Sequence, residues 1–508
     1  MRNEILLQSN YLLIPIAREQ KYETISFFIN EEKIFEFQIP IMNEENNFEY
    51  QYKAPVPVAP YIGRHIRIEG NYSEIFFHEI SQSDIIPINN ERRPIIHFTA
   101  NTGWMNDPNG LIYKNGIYHL YFQYNPFDTK WENMCWGHAI SKDLLHWEQK
   151  ETVLYPDQDG PIFSGSGIVN ENTLLGLPKD AHIYFYTSAG GKSEWSKDKL
   201  PVQKIAYSVD DGNTLHKKDG CIVEHICDEN RDPKVYWHEQ SKAYIMLLYL
   251  TNNDYAILRS VDLENWSVSQ TLTLDKAWEC PDFLEVPIVG GGTKWMFWSA
   301  DGFYFLGDFD GYIFKTDGIR RDAYKTTLPY AAQTFWGVND RIVSIPWIRS
   351  LNKNKLYTGA MGIPRELMLI DSNHQLVLSQ LPIREWKEQK VLQYAKDAKD
   401  EKITYYQEYN AVVEVGCDFA DVKLIEWYIF ETQILYNSIT GILSVGEIDT
   451  FIGTGVRDIS ILVDSEIMEV TANNGTIYAV YELEKDYQNG TIAVTVEGKG
   501  RIEIFQIN

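Results

Sequence analysis

The chain lacks any apolar run of 18 residues, so no stretch of it reads as a membrane-spanning helix. Cysteine is scarce. Cys135, Cys221, Cys227, Cys280 and Cys417 are odd in number, scattered and without a Cys-x-x-Cys pair, which suits reduced thiols rather than a disulfide framework or a zinc site. Positive charge is also short. Lys and Arg total 46 against 71 Asp and Glu, a formal net charge of −25 with no basic stripe, so neither nucleic acid nor an anionic membrane is an expected partner. The opening "MRNEILLQSNYLLIPIAREQKYE" is interrupted by Glu4, Asn10, Arg18 and Glu19 and lacks the continuous apolar core of a signal peptide. A cytoplasmic location is the expectation.

Aromatic residues are abundant. They make up 14% of the chain, including 14 Trp and 32 Tyr, and such rings suit β-sheets and the walls of carbohydrate sites. At 508 residues the chain exceeds one ordinary compact core and calls for two or three domains. Residues 1–92 alternate apolar and polar in short runs such as "YETISFFI" and "KIFEFQI", broken by "NEENN" and "PVPVAP". They read as a small β-rich N-terminal module without a chemical cluster, followed by a polar linker, "SQSDIIPINNERRP" (81–94).

From 95 to 385 the chain shows short strands and frequent Gly, Asp and Asn turns, with almost no helical periodicity. A faint repeat runs through "SKDLLHW" (141–147), "SVDDGNTL" (208–215) and "SVDLENW" (260–266), with Asp143 and Asp210 spaced by 67 residues and Asp210 and Asp262 by 52. Such spacings match a four-stranded propeller blade, and this length holds about five blades. Residues 386–402, within "REWKEQKVLQYAKDAKDEK", read as a charged linker or short helix. Residues 403–508 return to alternating strands, with "NNGT" as a hairpin turn, and are read as a β-sandwich.

Three carboxylates carry the chemical argument: Asp107 in "WMNDPNG", Asp232 in "NRDPKVYW" and Glu279 in "WECPDF". Proline follows Asp107 and Asp232 directly and constrains their backbones. At the starts of inner propeller strands these acids would converge on a central funnel. Paired carboxylates suit glycosidic hydrolysis, one attacking the anomeric carbon while the other donates a proton. Amides around Asp107 (Asn106, Asn109) are expected to keep it ionised, whereas Trp278 and Cys280 are expected to give Glu279 an apolar setting that favours its protonated form.

"HFTANTGWMNDPNGLIYKNGIYHLYFQYNP" resembles the opening of the catalytic domain of glycoside hydrolase family 32, the β-fructosidases (invertases, levanases, exo-inulinases). The likeness continues in family order through "WENMCWGHAISKDLLHW", "IFSGSGIV", "NRDPKVYW", "WECPDF", "YAAQTF" and "GAMGIPREL", and "ILVDSEIMEVTANNG" is similar to the family's β-sandwich. It implies an all-β chain: a five-bladed β-propeller catalytic domain at 95–385, a C-terminal β-sandwich at 403–508, and an extra N-terminal module. It also implies a retaining site with Asp107 as nucleophile, Glu279 as acid/base and Asp232 as transition-state stabiliser. Arg231 would hydrogen-bond the acid/base or the sugar, and Asn106, Gln123, Trp131, Phe163 and Ser164 would line the fructose pocket.

The implied activity is release of terminal non-reducing β-D-fructofuranosyl groups from sucrose, fructo-oligosaccharides or fructans, with no metal or organic cofactor. The partner is a small-molecule or oligosaccharide β-fructoside. Fructosyl transfer to a sugar acceptor, hydrolysis of sucrose 6-phosphate and an inactive fructan-binding propeller are the alternatives. The chain departs from the family pattern in the some 90 residues ahead of "WMNDPNG", whose open roles are capping the funnel, dimerisation or binding longer glycans; the sandwich is a second candidate surface for self-association. A second departure is Gly362 in "GAMGIPREL".

Overall fold

The computed structural model describes residues 2–42, 49–350, 355–407, 412–484 and 490–507. Strands dominate, and among the described residues no helix is long and apolar enough to cross a membrane. The turn expected at "NEENN" (43–47) lies outside the described residues.

The N-terminal module is a small sandwich. One sheet orders Arg2–Leu6, His65–Glu69, Tyr22–Ile29 and Glu32–Pro40; the other orders Tyr52–Pro57, Tyr11–Ile16 and Ser81–Ser83. "PVPVAP" does not break a strand as expected. Its first three residues belong to Tyr52–Pro57, an edge strand whose prolines need no second ladder partner. The segment read as a polar linker from residue 81 begins with a strand, Ser81–Ser83, paired to Tyr11–Leu13. Three polar residues carry no apolar alternation, so only the pairing reveals it.

Five sheets, each built on four antiparallel strands, then form the propeller. Their inner strands are Gly103–Lys114, Ile162–Val169, Arg231–His238, Asp282–Pro287 and Pro329–Thr334, here blades 1 to 5. The axis is plugged where Lys234 of blade 3 donates to the Thr334 carbonyl of blade 5 (2.9 Å) and pairs with Asp282 of blade 4 (3.0 Å). The ring closes where Tyr357–Thr358 runs parallel to Gly103–Trp104. The Ser-x-Asp repeat is the turn joining the third strand to the fourth in blades 1, 2 and 3. In each, the serine hydroxyl donates to the aspartate (Ser141 to Asp143 3.0 Å, Ser208 to Asp210 2.6 Å, Ser260 to Asp262 3.0 Å), and both side chains accept backbone amides of the turn. Blade 4 keeps only the aspartate, Asp310, which accepts from Tyr312 and Ile313; the repeat therefore fades in the sequence there.

The segment 386–402 is not a linker. After the short helix Trp386–Gln389 it enters an 18-residue strand, Lys390–Gln407, paired with Gly490–Ile507. Most of that strand faces solvent, so its charges hid the alternation that reveals a half-buried strand. Val412–Ile429 also pairs along Gly490–Ile507, its first half ladders with Asp458–Asp464 and its second half with Thr432–Asn437. The long strands thus bend through the sandwich around a core that includes Val415, Trp427, Ile461 and Val494. "NNGT" turns between Ile467–Ala472 and Ile477–Glu482.

Propeller and sandwich meet over buried charge. Asp464 accepts the His97 amide (3.0 Å) and its Nδ1–H (2.9 Å), while His97 Nε2–H reaches Glu469 (3.1 Å). Arg365, fully buried in "PREL", pairs with Glu469 and donates to Thr471 (2.6 Å). Gly362 fits the same seam: a Cβ there would stand 2.9 Å from the Pro346 ring and 3.1 Å from a Glu469 oxygen.

Candidate active site

The inner strands slip register near the same end of the propeller. The ladder breaks between Met105 and Pro108 in blade 1, Ile162 and Gly165 in blade 2, Arg231 and Lys234 in blade 3, and Tyr330 and Gln333 in blade 5. Asn106, Asp107, Phe163, Ser164 and Asp232 all fall inside these breaks. A bulge re-aims side chains that a regular strand would alternate between faces. Asp232 has φ +64° and Cys280 φ +45°, left-handed conformations that side-chain-bearing residues adopt only when their surroundings hold them there. Neighbouring blades supply that hold. The Thr187 hydroxyl of blade 2 accepts the Asp232 amide (3.1 Å), Asn109 of blade 1 accepts the Gly165 amide (3.0 Å), and the Ala300 carbonyl accepts the Ala331 amide (2.9 Å).

All nine sequence-selected residues line one pocket of about 330 Å³: Asn106, Asp107, Gln123, Trp131, Phe163, Ser164, Arg231, Asp232 and Glu279. Asp107 and Asp232 are buried at its floor. Asp107 Oδ2 accepts from Ser164 Oγ (2.7 Å) and Cys280 Sγ (3.3 Å), and Asn106 hydrogen-bonds the same carboxylate. Burial and the charge of Glu279 nevertheless hold the Asp107 pKa above its ordinary value; the three hydrogen bonds oppose them without prevailing. The expected stabilisation of its ionised form is present but outweighed.

Asp232 Oδ2 accepts from the Cys280 amide (3.0 Å) and thiol (3.4 Å), with Arg231 Nε 3.7 Å away. Burial lifts it to about 7, with Glu279 and Asp107 adding and Arg231 opposing. Glu279 is not in the apolar setting its neighbours suggested. Its Oε2 accepts from Arg231 Nη2 (2.7 Å) and Nε (3.2 Å), and its Oε1 from Tyr330 OH (2.9 Å). Trp278 is 40% exposed and packs on Tyr249, and Cys280 turns to the two aspartates. Residues adjacent in sequence point in different directions here, so neighbour identity misled.

Trp131 and Phe163 meet edge to face at 5.8 Å, and Trp131 remains 46% exposed at the rim. Gln123 presents a buried side-chain amide nitrogen with no partner among the described residues. Three contributors escaped the sequence reading. Tyr330 lies in "YAAQTF" and Cys280 in "WECPDF", both motifs in view; Trp347, which lines the pocket and packs against Tyr330 and Trp104, lies in no motif and could not have been found that way. Burial and the Asp107 and Asp232 charges raise the Cys280 pKa far above its ordinary value, so it stays a neutral thiol whose one proton both aspartates face.

The model for the "Glycosyl hydrolases family 32 N-terminal domain" matches residues 97–380. A levanase from Bacillus subtilis (strain 168) is 34% identical over 326 residues, 58% of this chain and 47% of that protein. The chain spans about half the length of the curated relatives it matches first. The crystal structure of an exo-inulinase from Aspergillus awamori superposes with a TM-score of 0.74 at 25% identity, over 83% of this chain and 99% of that one. A family 32 structure from Bifidobacterium adolescentis shares the fold over 100% of this chain and 99% of its own, N-terminal module included, with a TM-score of 0.70 at 18% identity. With the propeller, the sandwich and the funnel already in place, the chain belongs to glycosyl hydrolase family 32.

Proposed function

We propose that this protein is a retaining β-fructosidase that releases terminal non-reducing fructofuranosyl groups from sucrose, fructo-oligosaccharides or fructans. The observation that carries this reading is the division of labour among the floor carboxylates. Asp107 is held by Ser164, Cys280 and Asn106 and aimed into the pocket as nucleophile. Glu279, gripped on one oxygen by Arg231 and on the other by Tyr330, stands where it can protonate the leaving oxygen and then deprotonate water. Asp232, locked by its bulge, accepts hydroxyl protons of the fructosyl ring and faces the developing oxocarbenium ion. Asn106, Gln123, Trp131, Phe163, Ser164 and Arg231 complete the walls.

The first displacement forms a bond from Asp107 to the anomeric carbon and breaks the glycosidic bond, with the proton passing from Glu279 to the leaving oxygen. In the second, Glu279 takes a proton from water as the hydroxyl oxygen attacks the same carbon and Asp107 departs. The lining sets Lys192 and Arg231 against Asp107, Asp228, Glu229, Asp232 and Glu279, an acidic balance that favours an unphosphorylated sugar over sucrose 6-phosphate. The test is a panel of sucrose, kestose, inulin and levan with products followed in time. Free fructose as main product supports the reading. Kestose-type trisaccharides accumulating from sucrose would establish transfer instead, and no turnover of any member would sink the assignment.

A further inference from the structure

A fructosyl group seated on the buried carboxylates must send its leaving group towards the mouth, where Trp131 and Lys192 are exposed. Each of these residues stands on a loop that the N-terminal module holds.

Trp131 belongs to the loop 126–134 of blade 1. The Asn133 side chain docks on the edge strand Glu32–Pro40 of the module like the backbone of a further strand. It accepts the Gln38 amide (2.7 Å) and donates to the Gln38 carbonyl (2.8 Å). Earlier in the same loop, Phe127 inserts into the module's core with its ring 4.3 Å from that of Phe37. Tyr52 OH donates to the Pro126 carbonyl (3.0 Å), and Tyr22 OH donates to Asp128.

Lys192 belongs to the loop 189–201 of blade 2. Here buried Glu36 of the module accepts the Trp195 amide (2.8 Å), while Lys33, paired with Glu36, lies 5.3 Å from the Trp195 ring centre. Glu36, Phe37 and Gln38 are consecutive, so one short piece of an edge strand grips two rim loops at once. Asp228, Glu229 and Trp347, also at the rim, contact His225, Arg231 and Tyr330 within the propeller.

We propose that the N-terminal module builds one wall of the leaving-group subsite, fixing Trp131 and Lys192 and thereby setting which leaving groups the enzyme accepts. The inference rests on the β-fructosidase reading. Glu36 and Asn133 are positioning residues: they touch no substrate and act through the loops they hold. Their loss should weaken binding of substrates whose leaving group is a sugar and spare one whose leaving group is a single atom.

The test compares kestose with β-fructosyl fluoride in the full-length chain. Glu36→Ala and Asn133→Ala are expected to raise KM for kestose about five- to tenfold, with kcat and the fluoride kcat/KM held within about twofold. Glu36→Gln, which keeps an oxygen for the Trp195 amide, should recover part of the difference. Kestose and fluoride constants moving together, or neither moving in variants with an unchanged melting temperature, would overturn the proposal. Should both module-contact variants fail to fold, Trp131→Ala carries the test, and an unchanged kestose-to-fluoride ratio in it overturns the proposal equally. A wild-type chain inactive on both substrates would instead defeat the β-fructosidase reading, a result distinct from any of these.

Discussion

Asp464 and Glu469 in the seam between propeller and sandwich, and Asp107 and Asp232 at the funnel floor, are buried alike and respond in opposite ways. Burial pushes every one of these carboxylates towards protonation. In the seam, His97 and Arg365 face two carboxylates, and Glu469 is drawn down to about 2 while Asp464 is also lowered. Burial would lower His97, yet its two hydrogen-bonded acids raise it to about 9. On the floor, Arg231 serves Asp232 and Glu279 while Asp107 is held by neutral donors, and Asp107 and Asp232 stay raised. Desolvation is common to both places; the supply of counter-charge differs. The seam is supplied with positive charge and its acids are lowered, whereas the floor is short of it and its two aspartates hold their protons more tightly.

The sharpest way to test that contrast is to neutralise one acid in each place. Asp107→Asn should lower kcat by roughly 10⁴-fold while leaving the melting temperature at or above that of wild type, measured by product release and calorimetry. Glu469→Gln should do the reverse. It strands Arg365 in the interior, leaves His97 with Asp464 as its one acid partner, and costs about 3–5 kcal/mol in denaturant unfolding, with kcat nearly intact in the folded fraction. A catalytic loss as large as that of Asp107→Asn would erase the distinction.

The seam should also show in the pH dependence of stability. His97 has a folded pKa near 9 against an ordinary 6.5, so its contribution is whole below pH 6.5 and is lost as pH rises towards 9. Glu469, near 2 against an ordinary 4.5, contributes fully above pH 4.5 and loses that contribution as pH falls towards 2. Wild type should therefore lose about 2–3 kcal/mol between pH 6.5 and 9, and His97→Gln should flatten that limb. Asp232 shares the sign of His97 and opposes that of Glu469. Its folded pKa near 7 against 3.8 means that the folded state holds the proton more tightly, so its ionisation costs stability as pH rises from about 4 to 7. Asp232→Asn should gain roughly 1–2 kcal/mol at pH 8 and little at pH 4, at the expense of activity. Equal gains at both pH values would show that crowded charge is not the source.

What could be read from the sequence follows the range of the interactions. The Ser-x-Asp turns are closed by hydrogen bonds within a few residues, so three blades announced themselves. Asp107 and Asp232 were marked by their prolines, and family order linked them to Glu279. Arg365 lay in a motif in view, yet its role depends on Glu469, 104 residues later and in another domain. Trp278 and Cys280 misled about Glu279 because adjacency does not fix direction. Residues 390–402, most of the strand Lys390–Gln407, hid as a linker because an exposed strand needs no apolar alternation.

The bulges at the tops of the inner strands have a consequence for how this protein can change. Three amides at these breaks are claimed by the blade next door: Gly165 by Asn109, Asp232 by Thr187, Ala331 by Ala300. The mouth of the funnel is in effect stitched across its seams. A substitution at Asn109 or Thr187 is paid for in the adjoining blade, so such positions are epistatic. New specificities, whether selected or engineered, have to be sought two strands at a time.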